Sequence, residues 1–141
     1  MNTEHNLEVF RRVIEEIFNE QKYEVLPELF EPDYIEHQFG LHPTFDGMMS
    51  DIQFLHRAFP DFNLTIEDLA ASNDKVWGRM TARGTNLGGL MGPPNGKPFE
   101  ITVMDVVRFK DGKIVEHWGS PDRFAQLHQL GLLPKPQAQP A

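Results

Sequence analysis

The apolar residues of this chain change period at Pro60, and that change limits the folds open to it. Upstream, Leu7, Phe10, Ile14, Ile17 and Phe18 recur at helical spacing, with Arg11, Arg12, Glu15, Glu16 and Glu20 between them. Met49, Ile52, Phe54, Leu55 and Phe59 form a second helical stripe, entered at Asp46-Gly47 and closed by Pro60. Downstream the period is two: Phe62, Leu64 and Ile66 alternate with Asn63, Thr65 and Glu67. A stripe of one period does not fit the other element, so helices must come first and a sheet after them.

The remaining punctuation fills in this order. A short helix is expected from Glu24 to Phe30, with Pro27 in its first turn. Asp33 to Phe39 reads as a short strand or extended arm. Ser72-Asn73-Asp74 is a turn, followed by a strand from Lys75 to about Arg83. Gly84 to Lys97 carries five Gly and two Pro and must be a long loop. Phe99 to Phe109 and Lys113 to Gly119 are strands joined at Asp111-Gly112, a two-residue hairpin signal. Ser120-Pro121-Asp122 resembles a helix start, and the last helix runs from Asp122 to Leu130, closed by Gly131. The architecture implied is α+β, with helices on one face of a bent antiparallel meander. Residues 1–133 form one domain, and the Pro/Gln/Ala-rich tail 134–141 is expected to be disordered.

Charge narrows the partners. With 13 basic and 21 acidic side chains the formal charge is −8, which disfavours nucleic acid and anionic membrane surfaces. No cysteine is present, so disulfides, thiolate metal sites and thiol nucleophiles are excluded. No apolar run approaches the roughly 20 residues that span a bilayer. The N-terminus lacks the basic-then-apolar pattern of a secretory signal, and a cytoplasmic location is expected. Eleven Phe and six Met against two Tyr and two Trp fit a core, or a pocket for a flat apolar ligand.

The Asp111-Gly112 turn sets an expected register. Phe109 faces Ile114, Val107 faces Glu116 and Asp105 faces Trp118, which places His117 on the opposite face from Asp105. Asp105 lies in an apolar strand, where a carboxyl needs a partner or a function: a salt bridge to an arginine, or proton transfer from a desolvated site. Asp122 fits either a helix start or an acid/base residue. Six histidines are present: His5, His37, His42, His56, His117 and His128. None has metal-ligand spacing, so no metal is expected. His37 and His117 are candidate proton shuttles or donors, while His5, His56 and His128 read as helix-surface residues. No nucleophile elbow or phosphate loop occurs, because Gly84 to Gly89 is not followed by a helix.

Several stretches carry a family resemblance when taken in order. They are Tyr34-Ile35-Glu36-His37, Ala58-Phe59-Pro60-Asp61, Ile66-Glu67-Asp68-Leu69, Arg83-Gly84-Thr85 and Gly92-Pro93-Pro94-Asn95-Gly96-Lys97. They continue with Asp105-Val106-Val107-Arg108-Phe109, then Asp111 to Trp118, and finally Gln129-Leu130-Gly131. Together, over residues 5 to 133, they resemble the SnoaL-like polyketide cyclase (ester cyclase) family of the nuclear transport factor 2-like superfamily. The resemblance implies a cone-shaped curved sheet around helices, a deep apolar pocket, and a homodimer or homotetramer formed through the sheet. It implies intramolecular aldol cyclisation of a small aromatic carbonyl compound, with an aspartate as acid/base and neither metal nor cofactor. Two positions depart from the pattern: Gly119 stands where many members carry Asp, and Asn86 where many carry His. Asp122 falls on another recurring family aspartate. The candidates are therefore Asp122, Asp105, His117 and His37 for catalysis, and Trp118, Phe39, Phe54, Phe59 and Arg79 for substrate binding. A ligand-binding module without catalysis, and an epoxide or ester hydrolase using aspartate-activated water, are the alternatives on the same frame.

Overall fold

The computed structural model describes residues 2–90 and 92–134. The tail expected to be disordered lies, from residue 135 on, outside the described residues. The first helical stripe forms α1 (Thr3–Arg12), capped by Asn2, whose side chain accepts from the His5 backbone N–H at 3.0 Å. It continues as a wider π-helical segment over Val13–Asn19. A 3-10 turn (Tyr23–Val25) and a single helical turn, α2 (Leu26–Leu29), follow. Next come β1 (Phe30–Glu36) and α3 (Phe45–Ala58). The meander is β2 (Asn63–Ser72), β3 (Lys75–Thr85), β4 (Pro98–Lys110) and β5 (Lys113–Pro121), and α4 (Arg123–Gln129) closes the fold.

The class is α+β, with a curved, unclosed sheet in the order β1-β5-β4-β3-β2. The sheet is mixed rather than wholly antiparallel, because β1 pairs parallel to β5, with Ile35 opposite Glu116 and Glu36 opposite His117. β1 arrives from the helical half and meets β5 side by side, a connection that no hairpin signal in the sequence announces. The concave face buries Val76, Met80, Ala82, Phe99 and Ile101 against Phe10, Ile14 and Ile17 of the first helical segment and Phe59 at the end of α3. Fully burying a side chain of this size contributes about 1.5–3 kcal/mol. His56, expected on a helix surface, is instead buried, with Nδ1 bonded to the Tyr23 hydroxyl at 2.6 Å and Nε2 to the Phe18 carbonyl at 2.7 Å.

The turn at Asp111-Gly112 forms as expected, both residues having positive φ (52° and 81°). The register beyond it does not follow the regular count. Phe109 faces Ile114 and Lys110 faces Lys113, but a bulge then shifts the pairing to Arg108–Glu116, Val107–His117, Val106–Trp118 and Asp105–Gly119. One extra residue on β5, Val115, reverses the facing of everything after it. Ile114 and Val115 are consecutive and both buried, which an unbroken alternation would not permit.

Candidate active site

The bulge is what assembles the site. It puts His117 on the same face as Asp105 and sends Glu116 to the other face, where Arg108 Nε donates to it at 2.6 Å. A cavity of about 480 Å³ lies between the helices and the concave sheet. Its walls include Phe10, Val13, Ile14, Ile52, Phe59, Ile101 and Val103. Among this apolar surface stand Glu36, Gln38, Asp105 and His117.

These groups form one network. The Glu36 carboxylate accepts three hydrogen bonds: from the Tyr34 hydroxyl at 2.7 Å, the Gln38 backbone N–H at 3.0 Å and His117 Nδ1 at 2.6 Å. Its side chain is only 7% exposed. Burial pushes the Glu36 carboxyl up, but the three donors and the imidazolium charge outweigh it and hold the group below its usual value. Tyr34 moves the other way, since burial and the adjacent carboxylate oppose its ionisation. His117 is 15% exposed, and its Nε2 lies 3.0 Å from Asp105 Oδ1. Burial alone would lower the imidazole; the two carboxylates of Asp105 and Glu36 reverse that and raise it to about 10. His117 is therefore an imidazolium at neutral pH, fixed at Nδ1 by Glu36.

Asp105 Oδ1 is the exception within the network. It is buried and close to Nε2, yet it lies out of line for a hydrogen bond and has no other partner among the described residues. A buried acceptor with unspent lone pairs costs stability, and such groups call for a reason. Gly119 explains how it is accommodated. A Cβ on Gly119 would overlap the Gln38 side-chain oxygen and stand 2.7 Å from His117 Cε1 and 2.9 Å from Asp105 Oδ1. The carboxylate reaching in from β4 thus occupies the space that a side chain on β5 would need.

The other sequence candidates are dispersed. Asp122 caps α4, its Oδ1 accepting from the Ala125 N–H at 3.1 Å, and it does not line the cavity. The chain turns into α4 directly after Pro121, which removes Asp122 from the strand alternation. His37 and Trp118 lie outside the cavity lining, stacked on each other with ring centroids 4.8 Å apart and planes 6° apart. His37 Nε2 also meets Glu116 at 2.7 Å. The expected register had Trp118 beside Asp105, and the bulge turns it to the opposite face. Arg79 pairs with Asp68 at 2.7 Å on an exposed strand position and does not line the cavity. Phe59 is fully buried in the cavity wall, whereas Phe39 and Phe54 line its mouth with their side chains exposed. Asn86 is buried in the β3–β4 loop, bonded to Asn95 at 3.1 Å and to the Gly89 N–H at 3.1 Å, so its work is to hold that loop.

Sequence reading missed Tyr34, Glu36 and Gln38. Alternation through β1 places Tyr34 and Glu36 on one face, with Gln38 two residues past the strand's end, and Tyr34 is the residue there that asks to be buried. Among the described residues no group of three or more His, Asp or Glu side chains is arranged to hold a metal ion, and no helix is long and apolar enough to cross a membrane.

A family model of SnoaL-like polyketide cyclases matches residues 8–130. The chain is 26% identical over 133 residues to the aklanonic acid methyl ester cyclase DauD of Streptomyces sp. (strain C5), covering 89% of this chain and 81% of that one. Among solved structures it is similar to IdmH from Streptomyces antibioticus, with a TM-score of 0.79, 36% identity, and coverage of 89% of this chain and 98% of that one. TsrD from Streptomyces laurentii superposes with a TM-score of 0.85 at 25% identity, covering 94% of this chain and 99% of that one.

Proposed function

This chain belongs to the SnoaL-like polyketide cyclase family, and from that premise we propose that it is an acid/base enzyme acting on an apolar carbonyl compound, with ring closure by an intramolecular aldol reaction. The observation that carries this reading is the buried Asp105 oxygen, without a hydrogen bond among the described residues and 3.0 Å from a charged His117, in an apolar cavity. His117 already holds its proton at neutral pH and cannot serve as the base. The carboxylate can. Asp105 takes a proton from the carbon next to the substrate carbonyl, and the imidazolium field stabilises the enolate that forms. The enolate carbon then bonds to a second carbonyl carbon of the same molecule. Asp105 returns its proton to the new alkoxide, so protons and charge balance. Glu36 and Tyr34 act through His117 by fixing its position and charge.

Asp105 is also free of the arrangement that would favour a binding module. Arg108 is taken by Glu116 and Arg79 by Asp68, so neither neutralises Asp105. The outer sheet face exposes Trp77, Met104 and Trp118, which supports association of copies of the chain through that face. The test of function is a turnover screen of aromatic and polyketide-derived carbonyl compounds, as esters and as free acids, with wild type, Asp105→Asn and Asp122→Asn. The reading requires loss of about 10²–10⁴ in rate for Asp105→Asn alone. Equal turnover by wild type and Asp105→Asn would remove Asp105 from the chemistry. Tight binding with no turnover by any of the three would make the chain a binding module.

A further inference from the structure

Arg123 and Gln126 line the same cavity from α4, and nothing in the acid/base account uses them. Gln126 is only 2% exposed. Its side-chain oxygen accepts from Arg123 Nη1, which holds the guanidinium along α4, although Arg123 as a residue is exposed. Among the described residues Arg123 has no carboxylate partner, unlike Arg12, Arg79, Arg83 and Arg108, each of which pairs with an acid. Gln126 Nε2 likewise carries no hydrogen bond among the described residues. None of the acids on the cavity wall serves Arg123: Glu36 is bonded to His117, Asp51 to His42 at 2.6 Å, and Asp105 faces His117 Nε2 at 3.0 Å. An exposed arginine and a buried glutamine thus line the cavity side by side with no anion assigned to them.

Their position relative to the base follows from the register. Pro121 pairs with Val103, and the Asp122 N–H donates to the Thr102 carbonyl at 2.9 Å, so Arg123 enters the cavity beside Val103. Asp105 lies two residues further along β4, on the same face, about 7 Å away along the strand.

We propose that Arg123 and Gln126 form an anion subsite of the cavity, and that the ligand is an apolar aromatic compound bearing a carboxylate or an equally acidic oxygen. Arginine suits the task because its fork presents two parallel N–H donors to a carboxylate. Arg123 is an exposed residue, yet desolvation of its guanidinium lowers its pKa from the usual arginine value, so an anion seated against it is screened by water only in part. This assignment names the substrate class of the proposed reaction and so rests on that reading, but its test measures binding alone.

The experiment uses a matched pair of probes, 2-naphthoate and its methyl ester, titrated calorimetrically into the full chain and into Arg123→Met and Arg123→Lys. Wild type should bind the carboxylate at least tenfold more tightly than the ester. Arg123→Met should erase that preference while leaving the ester affinity within twofold, and Arg123→Lys should keep part of it. Circular dichroism of each variant checks that α4 remains folded. Equal affinities in wild type, failure of the carboxylate to bind up to a millimolar, or equal weakening of both probes in Arg123→Met each overturn the subsite. If the preference is present and depends on Arg123 while Asp105→Asn leaves turnover unchanged, the subsite stands and the proposed chemistry falls.

Discussion

Exchanging Glu36 for Gln keeps the size of the side chain and removes one of the two charges that hold His117 protonated. In the wild type, His117 is raised from about 6.5 to about 10. Each unit is worth about 1.4 kcal/mol, so after the opposing cost of burial the net preference for the charged ring is roughly 5 kcal/mol. The folded value lies above the unfolded one, so this stability is fully present below about pH 6.5 and is lost as pH rises through about 10. Between pH 7 and 9 the wild type should therefore lose about 1.4 kcal/mol of unfolding free energy per pH unit through this group. Glu36→Gln should lower the His117 pKa by roughly 1–3 units and flatten the upper part of that slope. Ring-proton NMR reads the titration directly, and urea unfolding at pH 7, 8 and 9 reads the stability. A wild-type His117 that titrates near 6.5, or a wild-type stability constant over that range, would refute the charge assignment on which the site is built.

Other consequences are simpler to measure. Gly119→Ala should destabilise by about 1–3 kcal/mol, because its Cβ meets Gln38, His117 and Asp105, and adding Asp105→Gly should recover part of that loss in the same urea assay. Asp122→Ala should cost about 1 kcal/mol by removing the α4 cap, while Asp122→Asn, which can still cap, should leave stability and kcat close to wild type. Asn86→Ala should cost about 1–3 kcal/mol, seen as a lower Tm, since it leaves buried partners in the β3–β4 loop unpaired.

Much of the frame was legible in the residues because each element carried its own local signal. The change of period at Pro60, the Asp111-Gly112 turn and the glycine-rich β3–β4 loop all match observed boundaries within about two residues. The site was less legible, for a physical reason. Facing in a strand is a running count from the turn, and one inserted residue inverts it. Ile114-Val115 is a pair of adjacent apolar residues in an otherwise alternating strand, and that break was the available sign of the bulge. Missing it separated His117 from Asp105 and joined Trp118 to the wrong face. Glu36 was passed over for His37 although Tyr34 marks the inner phase of β1. Arg123 offered no local signal, since its meaning lies in the lack of a partner, which only the assembled cavity reveals.

The central claim is that Asp105 removes a proton from carbon next to a carbonyl. Deuterium exchange at that carbon tests it without requiring ring closure. An aromatic β-ketoester that enters the cavity is followed by proton NMR in heavy water, with wild type, Asp105→Asn and the uncatalysed control. The account predicts enzyme-dependent exchange that falls by about 10²–10⁴ in Asp105→Asn while the ester still binds. Exchange at the same rate in both proteins would contradict it.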